Sequence, residues 1–524
     1  MPVPEFVPAD INALAVAPVA IVLAAALLGV LLEAFAPRRV RHTAQVVLAV
    51  LALAAAFVVL SFNSAAITGP TLAGALVMDG PAIVLQLLVL LMGLVSLIIV
   101  AERFDGRLAD AITPSGASVP GSHAEGVAER LGSTTEVFPL MLFSIAGMMI
   151  FPAAGDLLTM FIALELLSLP LYVLCALARR KRLLSQEAAL KYFLLGSFAS
   201  AFFLFGSALL FGYAGSMQFR RIAEAIGMYP GMNPLLVLGC ASILVGLFFK
   251  MGAVPFHSWT PDVYQGAPTP ITGFMAACTK AAAFGAALRV LYTGIDAARW
   301  DWLMIIWVVA GLTMVIGSIL SVTQTDIKRM LAYSSIAHAG FVLVGVMAFD
   351  VSAVGAVMFY LAAYGFSVIA AFGIITLVRS RDTGAEATSL TQWTGLGKRS
   401  PLVAGTFAFL LMAFAGLPLT SGFTAKVAVF SAAIAHAGIP GVILVVLGVL
   451  CSAITAYVYF RVVRIMFTAP AEGVTATTEG GVGVLTPSVA TTSAITLSVA
   501  LTLLLGVFPG PLLDLMSSLS IFIR

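Results

Sequence analysis

The sequence predicts an all-α polytopic membrane protein of about fourteen transmembrane helices, on three observations. Of its 524 residues, 61% are apolar and only 10% are charged, against about 25% charged in soluble domains, and the mean hydropathy is +1.09. The apolar residues gather in runs long enough to cross a hydrocarbon core, which takes ~20 residues of helix. Short polar turns such as 37–42, 178–187 and 323–326 separate those runs. The composition excludes a soluble enzyme and a disordered chain, and a net charge of +3 gives no footing for nucleic acid. The first partner it implies is the lipid bilayer.

The first run, about 12–34, has nothing basic ahead of Arg38, so it reads as a span and not as a cleavable signal. Further spans are expected near 43–62, 83–101, 136–153, 156–177, 188–214 and 233–255. The rest are expected near 270–294, 300–321, 327–348, 353–378, 401–433, 439–466 and 491–518. With the N-terminus outside, 18 basic residues fall in inner loops, among them Arg38, Arg39, Arg41, Arg103, Arg107, Arg130 and the run Arg179–Arg182. Only five (Arg220, Arg221, Arg289, Arg299 and Arg524) fall outside, an asymmetry that puts both termini on the outer side of the membrane.

Four basic residues remain, all lysines within apolar segments: Lys191, Lys250, Lys280 and Lys426. A charge at mid-bilayer costs ~2.5–3.5 kcal/mol even on the lenient insertion scale, so four of them need a purpose. Arginine holds its proton permanently in a protein, whereas a buried lysine can release it. The choice of lysine alone suits groups that load and unload protons. Glu165, nine residues into its span and ~14 Å along the helix axis, is the one acid expected well inside a span. Lys328 opens its helix beside Arg329, and His338 lies ten residues further into the same segment, near Ser334 and Ser335, where it suits a proton relay.

Two spans are interrupted, one around Gly252 and Pro255 and the other around Gly416 and Pro418. Proline removes a backbone donor and glycine loosens the helix, and non-helical backbone survives at membrane depth only against protein or a wet cavity. Lys250 precedes the first break and Lys426 follows the second. Spans four to eight (136–294) and nine to thirteen (295–468) each form a five-helix unit broken in its fourth helix. The odd number of helices inverts the second unit relative to the first, the pattern of transporters. A three-helix segment with an inner loop (1–135) precedes them and a loop with one helix (469–524) follows. The four cysteines and five histidines are scattered without metal-ligand spacing, and no nucleotide, haem or iron–sulfur pattern occurs. No catalytic redox centre, cofactor or metal is therefore expected in this chain.

The stretch from Phe249 through Lys250, Gly252, Pro255, His257, Trp259, Asp262 and Gly266 to Pro270 resembles the antiporter-like membrane subunits of respiratory complex I and of multisubunit sodium/proton antiporters. The segments from Asp326 to His338 and from Gly416 to Phe423 resemble them too, and the likeness spans roughly 136–466. Lys426, where M-type subunits carry glutamate, and a chain ending six residues past the last expected span favour the N type. The resemblance implies a proton-translocating role as a non-redox subunit of a translocase, NADH:quinone oxidoreductase. The alternative is a subunit of a cation/proton antiporter. Glu165 matches the glutamate that modulates the channel lysine, and Lys250 the proton carrier of the first half-channel. Lys280 matches the link between halves, and Lys191 an extra lysine of N-type subunits. Lys328 and His338 match central-axis relay positions, and Lys426 the second broken-helix lysine. The resemblance also implies a bacterial inner-membrane location, an M-type neighbour, small membrane subunits, and FMN and iron–sulfur clusters held by other subunits.

Overall fold

A computed structural model describes residues 11–104, 136–228, 233–380, 384–468 and 482–523, with a few short stretches between them. Arg107, Arg130, Arg381 and Arg524 of the basic count lie outside the described residues. Twelve described helices are long and apolar enough to cross a membrane, and shorter apolar helices at Val137–Ala153 and Pro401–Ala415 stand where the fourth and twelfth spans are expected. The fold is thus all-α, with about fourteen crossings.

In chain order the helices are α1 (Ala13–Phe35), α2 (Arg38–Phe62), α3 (Gly80–Val100), α4 (Val137–Ile150), α5 (Leu157–Cys175) and α6 (Arg182–Ala214). A short surface helix α7 (Phe219–Met228) leads to α8 (Pro234–Met251), α9 (Trp259–Gly266) and α10 (Thr269–Gly294). Then come α11 (Arg299–Val322), α12 (Ile327–Met347), α13 (Val351–Leu377), α14 (Pro401–Ala415) and α15 (Ser421–His436). The chain finishes with α16 (Gly438–Phe467), α17 (Val489–Val507) and α18 (Gly510–Ser518). Asparagine or aspartate caps several N-termini in the way free backbone N–H groups demand. Asn12, Asp79, Asp156, Asp326 and Asp350 each accept from the first turn of the helix they precede.

Helices α10 and α13 are buried throughout and α12 almost so, while α1, α2 and α16 leave most of their surface to lipid. The core is therefore a central trio ringed by peripheral helices. Each unit has five crossings: α4, α5, α6, α8–α9 and α10 in the first, and α11, α12, α13, α14–α15 and α16 in the second. The odd count inverts the second, and both units are broken in the fourth crossing.

Helix α8 ends at Met251, where Gly252 takes up a left-handed conformation at φ 73°, a backbone state that favours glycine. The chain then turns through Pro255 and forms α9, a helix the sequence reading left inside its turn. Gly416 closes α14 at φ 84° in the same way. The last expected span, 491–518, is two helices parted at Phe508–Pro509, because proline carries no N–H to continue the ladder.

One close approach bears on the site. A Cβ on Gly317 of α11 would stand 2.5 Å from the backbone nitrogen of Ala337 in α12, next to His338. Gly317→Ala is expected to push the two helices apart and destabilise the subunit by ~1–3 kcal/mol, as overpacking does, read as a lower melting temperature of the detergent-purified protein.

Candidate functional site: a polar file through the helix core

The first half of the file is built where α5, α6 and α8 meet. Lys250 sits in the last turn of α8, where the unsatisfied carbonyls of a helix end favour a cation. Its side chain is buried, and Nζ donates to Ser168 Oγ at 2.7 Å and Tyr192 Oη at 3.2 Å. The Tyr192 ring lies 5.3 Å from the same ammonium. Glu165 is half-buried one helical turn before Ser168, and its Oε1 has no hydrogen-bond partner among the described residues. Glu165 therefore forms no ion pair with Lys250 but lies within its electrostatic reach, one turn from the serine that accepts from it.

From Tyr192 the file continues through stacked rings. Trp259 lies parallel to Tyr192 at 4.7 Å, and Tyr264 meets Trp259 edge-on at 6.4 Å. The Tyr264 and Tyr364 phenols flank Ser335. Lys280 donates to the Ser335 backbone carbonyl and lies 5.8 Å from the Tyr364 ring. A π-helical segment, Met275–Thr279, immediately precedes Lys280, a distortion that recurs at functional sites. By helical rise, Lys280 and His338 both sit ~17 Å from the start of their helices, at one depth in the membrane.

The second half mirrors the first by a different route. His338 Nδ1 is 2.7 Å from Tyr360 Oη, and its ring is 4.9 Å from Tyr364 and 5.7 Å from Phe414. Lys426 starts on α15, after its break, yet reaches back to the end of α14. Nζ donates to Ala415 O at 2.9 Å, Phe414 O at 3.1 Å and Ser452 Oγ at 2.7 Å. The break supplies those carbonyls, because a helix that stops leaves its last C=O groups without intrahelical partners. Both broken-helix lysines thus end beside the C-terminus of the leading half-helix.

Lys191 departs from expectation. It lies outside the file, with its side chain 44% exposed, and pairs with Glu187 at 2.8 Å and Asp262 at 2.9 Å. Asp262 also pairs with Arg329 at 2.7 Å. An apolar run of sequence does not reveal that two acids, one of them on another helix, face the lysine.

Lys328 is buried and donates to Ala267 O at 2.6 Å, with Glu386 Oε2 3.7 Å away. Arginines too are buried within the protein, among them Arg179, Arg182, Arg289 and Arg379. Arg289, assigned to an outer loop, is fully buried against Asp79 at 2.6 Å, and Arg379, assigned to an inner loop, is buried 3.5 Å from Glu386. Both have acids to neutralise them, which a count along the chain does not reveal.

Sequence reading also missed Ser168, Tyr192, Tyr360, Tyr364 and Ser452. Only Ser168 carried a signal, at helical spacing from Glu165. Among the described residues no group of three His, Cys, Asp or Glu side chains could hold a metal ion.

The comparisons with known proteins bear on this arrangement. The family described as NADH:quinone oxidoreductase/Mrp antiporter, TM, matches residues 154–455, which take in most of both five-helix units. The chain is 52% identical to NADH-quinone oxidoreductase subunit N 3 of Streptomyces griseus, over 97% of this chain and 94% of that one. It is 54% identical to NADH-quinone oxidoreductase subunit N of Beutenbergia cavernae, over 99% and 100%. Among solved structures, a chain of respiratory complex I from Thermus thermophilus is 31% identical with a TM-score of 0.74, covering 95% of this chain and 99% of that one. A chain of the Mrp complex from Dietzia superposes with a TM-score of 0.78 at 22% identity, over 97% of each, a likeness of fold alone.

Proposed function

Since this chain belongs to the family of NADH-quinone oxidoreductase subunit N, we propose that it moves protons across the membrane through the Glu165, Lys250, Lys280, His338 and Lys426 file, driven by quinone reduction in neighbouring subunits. The observation that carries the reading is the buried lysine at each helix break, each held by hydroxyl or carbonyl oxygens. Neutral acceptors hold an ammonium with less preference for its charged form than a carboxylate in direct hydrogen-bond contact imposes.

Glu165 acts as the modulator. Ionised, it favours the charged form of Lys250; when its charge is withdrawn, release is favoured. One pKa unit is ~1.4 kcal/mol, so a swing of two or three units takes ~3–4 kcal/mol. Moving one charge through 100 mV takes ~2.3 kcal/mol, so a single swing is large enough for the work. Lys328 serves as a relay at the basic-loop end of α12. Lys191 has a lesser part, through its pair with Asp262.

The chain itself holds no redox centre in this reading. FMN and iron–sulfur clusters belong to other subunits, and an M-type neighbour and small membrane subunits adjoin it. The complex sits in the bacterial inner membrane with both termini of this chain outside. Residues 1–135, 136–294, 295–468 and 469–524 are its entry segment, two inverted units and closing segment.

The test replaces Glu165 with Ala in the assembled complex. Proton uptake by membrane vesicles per NADH oxidised is expected to fall; undiminished uptake would reject the modulating role.

A further inference from the structure

On the basic-loop side of the file, Lys328, Arg379 and Glu386 meet beside a small cavity that Arg180 and Lys181 also line. Lys328 and Arg379 have side chains only 2% and 4% exposed, and Glu386 is 15% exposed between them. The carboxylate accepts from the Thr269 hydroxyl and lies 3.7 Å from Lys328 Nζ and 3.5 Å from Arg379 Nη2. Burial pushes the Glu386 carboxyl upward, but Lys328, Arg379 and the Thr269 hydroxyl outweigh it and hold the group below the usual carboxylate range. A cavity of about 20 Å³ adjoins the three, lined also by Gln265, Lys181 and Thr388, room for about one water. Ala178, Arg180 and Lys181 of the Arg179–Arg182 loop form part of its wall, so it lies on that side of the protein.

We propose that Glu386 is a positioning residue that allows Lys328 to exchange a proton between this cavity and the interior file. The inference rests on the proton-translocating reading above and adds a valve to it. In the step, a hydronium of the cavity gives a proton to the neutral Lys328 amine. An N–H bond forms, an O–H bond breaks, and water remains. Glu386 stays a carboxylate and Arg379 a guanidinium, which does not release its proton. With Lys328 neutral, the charges of Arg379 and Glu386 cancel; with Lys328 charged, the three carry one positive charge facing the carboxylate, and Arg180 and Lys181 on the cavity wall add to it. The amine then lies against Ala267 O, seven residues before Ser335 on α12, whose carbonyl accepts from Lys280. Further charges that act on Lys328 are Asp326 at its own helix cap and Lys181 ahead of α6, while Arg180 lines the same cavity.

Glu386→Gln removes the one acid that, among the described residues, lies within 4 Å of both bases, and leaves Arg379 opposing a charged Lys328. A like charge left uncompensated shifts such an equilibrium by about one unit or more, so proton uptake per NADH oxidised is expected to fall about tenfold at neutral pH and to recover as the medium is acidified. Arg379→Gln combined with Glu386→Gln removes both charges and is expected to restore uptake at neutral pH, a rescue that a purely structural role would not produce. Full uptake in the single variant, or no gain in the double variant over an assembled single one, overturns the proposal. If Glu386→Gln does not assemble, Thr269→Val carries the test: it keeps all charges but frees the carboxylate, so the pH profile of uptake should shift, and an unchanged profile overturns the proposal. Lys250→Met, measured alongside, separates the two readings. Normal uptake in that variant defeats proton translocation as a whole, whereas its loss beside normal uptake in Glu386→Gln defeats the valve alone.

Discussion

Lys250→Met lowers proton uptake per NADH oxidised by at least about a hundredfold, at the low end of the loss when a positioned proton-transfer group is removed. Methionine fills nearly the same volume, but Ser168 and Tyr192 lose the ammonium that donates to both, and no other amine stands in the first half of the file. Replacing a buried charge by an apolar group of similar size is close to neutral for folding. The loss should therefore appear in vesicle acidification and not in the amount of assembled complex. Normal acidification in Lys250→Met vesicles would remove the central carrier from the mechanism.

Arg289→Met is expected to have the largest effect on stability, about 3–5 kcal/mol, because it strands a buried carboxylate. Asp79 and Arg289 are 0% and 1% exposed. Arg289 also donates to Pro152 O at 2.6 Å, and Asp79 accepts from the backbone of Ala82 and Ile523. The pair thus ties the start of α3, the end of α4, the last turns of α10 and the end of the chain into one cluster on the face away from the basic loops. The measurement is the melting temperature of the purified complex. Asp79→Asn combined with Arg289→Met should recover most of the loss, since it leaves no lone charge; a single variant as stable as the parent would show that the pair contributes nothing.

These two sites mark how far the sequence could be read. Lys250 was legible because a lysine beside a glycine–proline break in an apolar run has no inexpensive explanation. Arg289 was not, because its partner lies 210 residues away and a hydropathy window sees neither the acid nor the burial. The partners of Lys191 were hidden for a like reason: its segment is apolar, yet Glu187 one turn before it and Asp262 on another helix pair with the ammonium. The serine and tyrosine hydroxyls of the file were invisible, since one hydroxyl among apolar neighbours reads as an ordinary helix residue until another helix brings a cation to it.

What the sequence determined by itself was the run of apolar crossings, the two breaks and the identity of the amines placed beside them. These follow from local chemistry, from apolar length against bilayer thickness and from backbone groups that glycine and proline free from the helix ladder. What only the tertiary structure decided was which oxygens hold each amine, and which buried charges are neutralised by acids distant in the chain. Burial and partnership arise between helices, and in a low-dielectric interior they, more than residue type, decide whether a charge is a fixed tie, as at Arg289, or free to exchange its proton, as proposed for Lys250.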